Sequence, residues 1–230
     1  MIADAFAQAV QAWIGDSPGS QLSLQQLCAA CGEVSLLRAS IVLMGGDRLQ
    51  AATATSNGTA AVEELQFTLG EGPGVDAYSE GRPVFIEDLA AMASRWTQFV
   101  PAARALGVGA VFAFPLQVGA IRTGVLSLYT DQVHPLGSKE GAELFVLAEL
   151  ATEAVLAMQS AASAEELAWT LSDAAEHRAV VHQATGMVSV QLECSVQDAL
   201  SRLRGRAFLD GTGIEQTAHQ VVDRSVRFEP

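Results

Sequence analysis

The sequence has no apolar run close to the ~20 residues that a membrane-spanning helix requires. Its first residues, Met-Ile-Ala-Asp, carry neither the basic segment nor the apolar core of a secretion signal. Cysteine is scarce as well, and three residues make an odd count that builds no disulfide framework. These absences predict a cytoplasmic protein that has no membrane partner.

Basic residues are few, because 13 lysines and arginines stand against 26 acidic residues and give a net charge of −13. Such an acidic chain repels nucleic acid in general. The charge is unevenly distributed, however: residues 1–174 hold 7 basic and 19 acidic residues, whereas residues 175–230 hold 6 and 7. Any nucleic-acid binding would therefore depend on local arginines and on shape in the last quarter of the chain.

Residues for catalysis and metal binding do not occur in the patterns that those functions need. The loop Gly70-Glu-Gly-Pro-Gly74 lacks the Lys-Ser/Thr of a phosphate-binding loop, so turn geometry explains its glycines. Cys28 and Cys31 are spaced C-x-x-C but fall late in a predicted helix, where the helix dipole does not activate a thiol. We expect two buried cysteines and a protein that is not an enzyme and holds no metal or cofactor. A redox sensor that uses this pair is the alternative.

The middle of the chain contains several short β-branched and aliphatic runs that are separated by turn residues. Residues 34–55 predict a hairpin with its turn at Gly45–Asp47, and Phe67 is expected in a short strand. Residues 109–118 and 121–129 predict a second strand pair, whose alternation suits a sheet with one covered face. Hairpin-linked strands with helices at both ends predict an α+β fold on an antiparallel sheet.

Four segments of this region together resemble the GAF domain: Gly70-Glu-Gly-Pro-Gly-Val-Asp-Ala-Tyr78, Gly81-Arg-Pro-Val84, Val111-Phe-Ala-Phe-Pro-Leu116 and Gly124-Val-Leu-Ser-Leu-Tyr129. The resemblance covers residues 20–160 and implies a domain that either binds a small-molecule effector or only dimerises. A ligand pocket in such a domain would be lined by the aromatic residues Phe67, Tyr78, Trp96, Phe112 and Phe114. The alternative is that these rings fill a hydrophobic core.

Residues 138–192 contain no proline and only two glycines, which predicts a long helix that runs toward the C-terminal segment. Apolar residues recur along it at three- and four-residue spacing: Leu144, Leu147, Ala151, Ala154 and Met158. Such a stripe predicts pairing with the same helix of a second copy, and thus a homodimer. The alternative is that the helix packs on its own sheet.

The last fifty residues predict three short amphipathic helices that close into a bundle. Ser195 is a good N-cap for the second helix. Gly211 and Gly213 end that helix and precede the third one, which starts at Ile214. The domain boundaries predicted from these patterns are 1–160 for the N-terminal domain, 161–174 for a helical linker and 175–230 for the C-terminal module.

The C-terminal module resembles the ANTAR domain through Gln183-Ala-Thr-Gly-Met187, Leu203-Arg204 and Ala207-Phe208. The resemblance covers most of residues 175–228. It implies a regulator that binds paired-loop hairpins in nascent leader RNA and prevents transcription termination. One position departs from the family, because many members have a lysine where this chain has Thr185.

The residues expected to contact RNA are those of the matching motif and the arginines that border the helical core: Arg204, Arg202, Arg206, Gln183, Thr185, Gly186 and Arg224. The alternative is that the arginines are solvated side chains paired with Asp198, Asp210 or Asp223. Two other functions remain open, namely a DNA-binding regulator with a helix-turn-helix and a ligand or redox sensor that acts through protein–protein contact.

Overall fold

A computed structural model describes residues 2–14, 22–44, 50–55, 58–161 and 180–229. The helices are α1 Ile2–Ile14, α2 Leu24–Ser35, α3 Ala60–Leu69, α4 Pro73–Glu80, α5 Phe99–Ala105, α6 Ser138–Ala161, α7 180–192, α8 Val196–Leu209 and α9 Ile214–Val222. The strands are β1 Arg38–Met44, β2 Gln50–Thr55, β3 Val84–Ile86, β4 Ala110–Val118 and β5 Ile121–Thr130. The predicted turn at Gly45–Asp47 and the predicted linker 161–174 lie outside the described residues, except for residue 161.

The strands form one antiparallel sheet in the order β2-β1-β5-β4-β3, as expected for an α+β fold. Both predicted strand pairs are present: β1 pairs with β2, and β4 pairs with β5 around Gly119-Ala120. Gly119 has a φ of 58°, in the left-handed region that such a tight turn favours.

Both faces of the sheet are covered, although the sequence predicted a single covered face. Along β4, Phe112 and Phe114 pack in a core with α1, α2 and α6, whereas Val111 and Ala113 pack in a second core with α4 and α5. The almost continuous apolar run of β4 was the signal for this arrangement, because a strand buried on both faces loses its polar alternation.

The segment around Phe67 is helical, so the prediction of a short strand there was wrong. Helix α3 begins at Ala60, and its first residues, Ala-Ala-Val-Glu-Glu-Leu, include strong helix formers. The buried residues Val62, Glu63 and Gln66 recur at helical spacing. The β-branched and aromatic residues at the end of α3 favour a strand locally, but tertiary packing overrides that preference.

Helix α6 uses its predicted apolar stripe to cover its own domain. Leu144, Leu147 and Ala151 are at most 2% exposed and belong to the core beneath β1, β4 and β5. Ala154 and Met158 pack at the edge of the same core. The stripe that the sequence offered for pairing with a second copy is therefore already occupied, which matches the alternative stated above.

Candidate functional site

Helices α7, α8 and α9 form the predicted three-helix module at the C-terminus. Their core contains small and branched side chains that are nearly inaccessible to solvent: Val181, Ala184, Val188, Ala199, Leu203, Ala207, Ile214, Ala218 and Val221. The side chain of Ser195 accepts a hydrogen bond from the amide of Asp198, which confirms the predicted N-cap of α8. Of the residues expected to contact RNA, Gln183 and Gly186 are exposed on α7, and Arg202 and Arg206 are exposed on α8.

An open groove lies between α7 and the segment that follows α9. Gln183 and Gly186 line it from α7, and Arg224 and Arg227 line it from the other side. A Cβ atom placed on Gly186 would meet no atom within 4 Å, so helix packing within the described protein does not require this glycine. The groove thus brings together three of the residues predicted to contact RNA and adds Arg227.

The sequence suggested that Arg224 lies on the third helix. In the structure it lies beyond that helix, because α9 ends at Val222. It adopts a left-handed backbone conformation, with a φ of 61°, and starts a segment that folds back toward α7. The amide of Phe228 donates a hydrogen bond to Oε1 of Gln191 at 2.9 Å and holds this segment on α7. The return of the chain is what places Arg224 and Arg227 opposite Gln183.

Arg202 and Arg206 are both exposed on α8, but they differ in their partners. Nε of Arg206 lies 2.6 Å from Oδ2 of Asp210, one helical turn later, so this arginine is paired as the alternative interpretation expected. For Arg202, the described residues provide no carboxylate within ion-pair distance. Of the two arginines, Arg202 is therefore the one without an ion pair to a described residue.

Thr185 is buried, and its hydroxyl donates to the carbonyl oxygen of Val181 in the same helix at 2.6 Å. The prediction that Thr185 contacts RNA does not fit this environment, because a buried side chain that is satisfied by its own helix is not available to a ligand. The lysine that occupies this position in many relatives would have a long stem with which to reach solvent, whereas threonine has none.

Arg204 faces the N-terminal domain. Its Nε donates a hydrogen bond to the carbonyl oxygen of Phe67 at 3.1 Å, and its guanidinium lies 5.8 Å from the centre of the Phe67 ring. Phe67 is in the last turn of α3, where main-chain carbonyls have no partner within the helix and the helix dipole is negative. Arg204 therefore caps the C-terminal end of α3, and its partial burial lowers the pKa of the guanidinium.

The contact between α3 and the C-terminal module extends beyond this pair. Phe67 is 7% exposed and shares the core of the three-helix module. Oε1 of Glu64 lies 3.7 Å from the position that a Cβ atom on Gly213 would take. Gly213 is the N-cap of α9, and a carboxylate near a helix N-terminus is stabilised by the dipole. Helix α3 thus contacts the module through the side chain of Phe67, through the hydrogen bond from Arg204 of α8, and through Glu64 near the start of α9.

A cavity of about 290 Å³ lies between α3, α4, the sheet and α8. Its apolar lining comes from both domains: Val42, Met44, Phe67, Val75, Tyr78, Val125 and Leu200. Its polar lining is Glu63, Gln66, Ser79, Ser127, Gln197, Ser201 and Arg204. Helix α8 supplies the wall that faces the sheet, so this cavity is formed jointly by the N-terminal domain and the module.

The floor of the cavity is a buried network of polar side chains centred on Glu63. The Glu63 carboxyl accepts hydrogen bonds from the hydroxyls of Ser40 and Tyr129, and it accepts one from Nε2 of Gln66 at 3.2 Å. Burial raises the pKa of this carboxyl, and the three donors only partly offset the effect. Burial and the adjacent carboxyl also raise the pKa of Tyr129.

Ser127 is 1% exposed and lines the same cavity. Its Oγ is buried and makes no hydrogen bond of good geometry among the described residues, although the Tyr129 hydroxyl is its neighbour. An unpaired buried hydroxyl costs free energy, and buried polar groups are usually hydrogen-bonded to protein or to an ordered water.

The glycine-rich loop explains how α4 approaches this network. Gly72 has a φ of 137°, and a Cβ atom on it would stand 2.6 Å from Oε1 of Gln66. That oxygen accepts a hydrogen bond from the amide of Gly74 at 2.8 Å. Close approach of the main chain to Gln66 therefore requires glycine, and the loop builds one wall of the cavity.

The five aromatic residues predicted to line one pocket are separated in the structure. Phe67 and Tyr78 line the cavity. Phe112 and Phe114 lie on the opposite face of the sheet, in contact with Phe85. Trp96 packs in the core near α5 and donates from Nε1 to Oδ2 of Asp76 at 3.1 Å. For the last three rings, core packing is the better interpretation. The polar residues Glu63, Gln66 and Ser127 were missed, because Glu63 and Gln66 lie outside the quoted segments and the segment of Ser127 indicated the fold without indicating a ligand contact.

Cys28 and Cys31 are completely buried in the core on the α2 side of the sheet. Burial raises the pKa of Cys28 to about 12, and burial also raises the pKa of Cys31. Two apolar, unreactive thiols are what the sequence predicted.

Within the part of the chain that the structure describes, no three potential metal ligands lie together. Across the same ranges, no helix combines the length and apolarity needed to cross a membrane.

Comparison with known proteins gives two family matches that lie end to end. Residues 23–159 match the GAF domain, and residues 169–222 match the ANTAR domain. The chain resembles the GAF domain of an Acinetobacter phosphoenolpyruvate-protein phosphotransferase, with 14% identity, a TM-score of 0.46 and coverage of 70% of this chain and 96% of that one.

The chain also resembles the GAF domain of a phosphoenolpyruvate-protein phosphotransferase from Coxiella burnetii, with 14% identity, a TM-score of 0.47 and coverage of 69% of this chain and 95% of that one. No curated protein sequence matches the chain significantly. The assignment rests on the two domain models, of which the first spans more than half of the chain. GAF and ANTAR domains are regulatory, and ANTAR domains bind RNA. The chain belongs to the GAF-domain family and carries a C-terminal ANTAR domain, the composition of a regulator with an RNA-binding output.

Proposed function

We propose that this protein binds hairpins in nascent leader RNA through its ANTAR domain and thereby prevents transcription termination, under the control of its GAF domain. The protein acts by binding and performs no catalysis. The observation that carries this proposal is the groove between α7 and the returning C-terminal segment, in which Gln183 and Gly186 face Arg224 and Arg227.

The chemistry of the groove suits an RNA loop. Two exposed arginines offer planar donors for phosphates and flat faces on which unpaired bases stack. Gly186 leaves open space for close approach, and the Gln183 side chain can both donate and accept hydrogen bonds. Since the whole chain carries a charge of −13, binding depends on these local groups more than on long-range attraction.

The GAF domain controls access to a further RNA contact. Arg204 corresponds to the arginine of the ANTAR Leu-Arg motif, yet it caps α3 of the GAF domain. An arginine cannot hold the Phe67 carbonyl and a phosphate group with the same donors. We infer that the arrangement with α8 on α3 is a restrained state, and that Arg204 reaches RNA when the two domains separate.

The test uses the full chain and a leader RNA with two hairpins, compared with the same RNA carrying scrambled loops. We expect binding that depends on the loop sequence and that weakens in the Arg224→Gln and Arg227→Gln variants. Arg104→Gln is the matched control, because Arg104 is an exposed arginine of the GAF domain far from the groove in sequence. Equal affinity for both RNAs, or equal losses in all three variants, contradicts the proposal.

A DNA-binding regulator is less well supported. A recognition helix needs polar side chains at its N-terminus, but Ile214 and Thr217 of α9 are completely buried. Glu215 would face the DNA phosphates with an unfavourable charge, and Glu64 already lies beside the start of α9. Duplex DNA should therefore fail to displace the leader RNA in a competition experiment, and effective displacement would favour the DNA-binding function.

We also propose that the protein forms a homodimer, because two modules that bind two loops of one RNA would gain affinity through avidity. The apolar stripe of α6 cannot supply the interface while it packs on its own sheet. Light scattering of the purified protein measures its mass directly, and a value of twice 24.1 kDa is expected.

A further inference from the structure

The cavity shared by the GAF and ANTAR domains contains one positive group without an acidic partner. Nε of Arg204 donates to the Phe67 carbonyl, and in the described ranges no carboxylate is within ion-pair distance of the guanidinium. A Cβ atom on Gly70 would stand 2.7 Å from Nη1 of Arg204, so the absence of a side chain there makes room for this group. Among the described residues, its partners are thus the carbonyl and the ring of Phe67, and a partly buried charge without an opposite charge is costly.

The remaining walls show which kind of molecule fits beside this charge. Val42, Val125 and Leu200 give the cavity an apolar interior, and its volume of about 290 Å³ suits a compact organic molecule. Among the described lining residues, Glu63 is the only one with a carboxyl, and it is already bonded to Ser40, Tyr129 and Gln66. Burial raises its pKa and favours its neutral form, which leaves the positive charge of Arg204 uncompensated.

A second polar group in this cavity makes no hydrogen bond of good geometry within the described parts of the chain. The Oγ atom of Ser127 is buried, and its residue is 1% exposed. It lies on β5, in the floor, whereas Arg204 belongs to α8, in the opposite wall. A ligand with a charged group at one end and a hydrogen-bonding body would satisfy both positions.

We propose that the cavity between α3, α4, β5 and α8 is a binding site for a small organic anion whose apolar body carries a hydrogen-bonding group, and that the ANTAR domain supplies its anion-binding group, Arg204. A monocarboxylate is the simplest molecule of this kind, because a carboxylate accepts two parallel hydrogen bonds from a guanidinium. The site is composite, since neither domain provides both the anion contact and the floor.

A ligand in this position stabilises the docked arrangement, because it contacts both domains at once and binds the separated domains less well. It would therefore hold Arg204 away from RNA. This regulatory consequence rests on the proposed RNA-binding function, whereas ligand binding itself does not.

The test measures binding of simple probes to the full chain in the absence of RNA, so that its outcome is independent of the RNA experiment. The probes are phenylacetate, 4-hydroxyphenylacetate and hexanoate, and phenylacetamide is the neutral control for the first of them. Titrations at millimolar concentration are followed by ligand-observed NMR and by the shift in the melting temperature. Arg204→Gln removes the anion contact, Ser127→Ala removes the floor hydroxyl, and Arg104→Gln is the control.

We expect saturable binding of at least one of the acids, with one site per chain, and binding of phenylacetamide about tenfold weaker or absent. Arg204→Gln should weaken acid binding about tenfold or more, and Arg104→Gln should leave it unchanged. If Arg204→Gln does not fold, Ser127→Ala replaces it and should weaken binding of 4-hydroxyphenylacetate, which carries a hydrogen-bonding group, more than binding of phenylacetate. Equal binding of phenylacetate and its amide, or no saturable binding by any of the three acids, overturns the proposal.

Discussion

Nε of Arg204 lies 3.1 Å from the carbonyl oxygen of Phe67 and joins the second helix of the ANTAR domain to the last turn of α3 in the GAF domain. The two residues are 137 positions apart in sequence. Their contact gives an arginine of the ANTAR motif a partner within the protein itself. The account of function developed above depends on this relationship, because it links the sensor domain to the output domain through one side chain.

The groove arginines should determine the salt dependence of RNA binding. Each phosphate contact releases a counterion, so Arg224→Gln and Arg227→Gln should each reduce the slope of log affinity against log salt by about one. The slope is measured by titrating the leader RNA at several salt concentrations. Arg206→Gln should change the slope less, because Arg206 is paired with Asp210. A slope unchanged in both groove variants would place the RNA elsewhere.

Glu63 should make stability depend on pH. Burial raises its pKa above the ordinary value of 4.5, so the folded protein retains a proton that the unfolded chain releases. The stabilisation that this proton provides is complete below pH 4.5 and is lost as the pH rises through the higher pKa of the folded state. Relative to Glu63→Gln, the wild-type protein should therefore lose stability as the pH rises above 4.5.

Thermal unfolding of the wild-type and Glu63→Gln proteins at a series of pH values above 4.5 measures how much Glu63 contributes to the pH dependence of stability. The Glu149→Gln variant, in which an exposed acid on α6 is changed, is the control and should follow the wild-type curve. A difference in melting temperature between Glu63→Gln and wild type that stays constant with pH would show that this carboxyl is ionised in the folded protein.

The cysteines should separate into two classes of reactivity. Cys28 and Cys31 are buried with raised pKa values, whereas Cys194 is only half-buried. A thiol reagent should therefore modify at most one cysteine per folded chain and all three after denaturation. Cys28→Ala with Cys31→Ala should leave RNA binding intact. Rapid modification of two thiols in the folded protein would revive the redox-sensor alternative.

Sequence reasoning reached the domain order, the two strand pairs and the three C-terminal helices, because each depends on a local pattern. Ser195 is one example, since an N-cap is determined by residues within one helical turn. The helix at Phe67 was missed because its last residues favour a strand when packing is ignored. Local pattern alone therefore described the elements better than the contacts between them.

The position of Arg204 could not be predicted, because it depends on how two domains dock. A helical wheel places Arg204 and Arg202 on opposite sides of the α8 core. It could not show that one side faces the GAF domain. The cavity network escaped prediction for the same reason, since Glu63, Ser40 and Ser127 come from three separate elements and form no sequence motif.

The central claim, that contact with the GAF domain restrains the ANTAR domain, is tested most directly by a change at Gly70. This residue ends α3 in the left-handed conformation, with a φ of 67°, which asparagine also tolerates. The new Cβ would stand 2.7 Å from Nη1 of Arg204 and displace the guanidinium. Gly119→Asn is the matched control, because Gly119 is left-handed as well and its Cβ would meet no atom within 4 Å.

The measurement is the affinity of wild-type protein, Gly70→Asn and Gly119→Asn for the two-hairpin leader RNA at one salt concentration. The account predicts that Gly70→Asn binds about tenfold more tightly than wild type, a coupling of ordinary size between two domains, and that Gly119→Asn binds like wild type. A folded Gly70→Asn protein that binds the RNA no better than Gly119→Asn would contradict the claim that the contact of Arg204 with Phe67 restrains RNA binding.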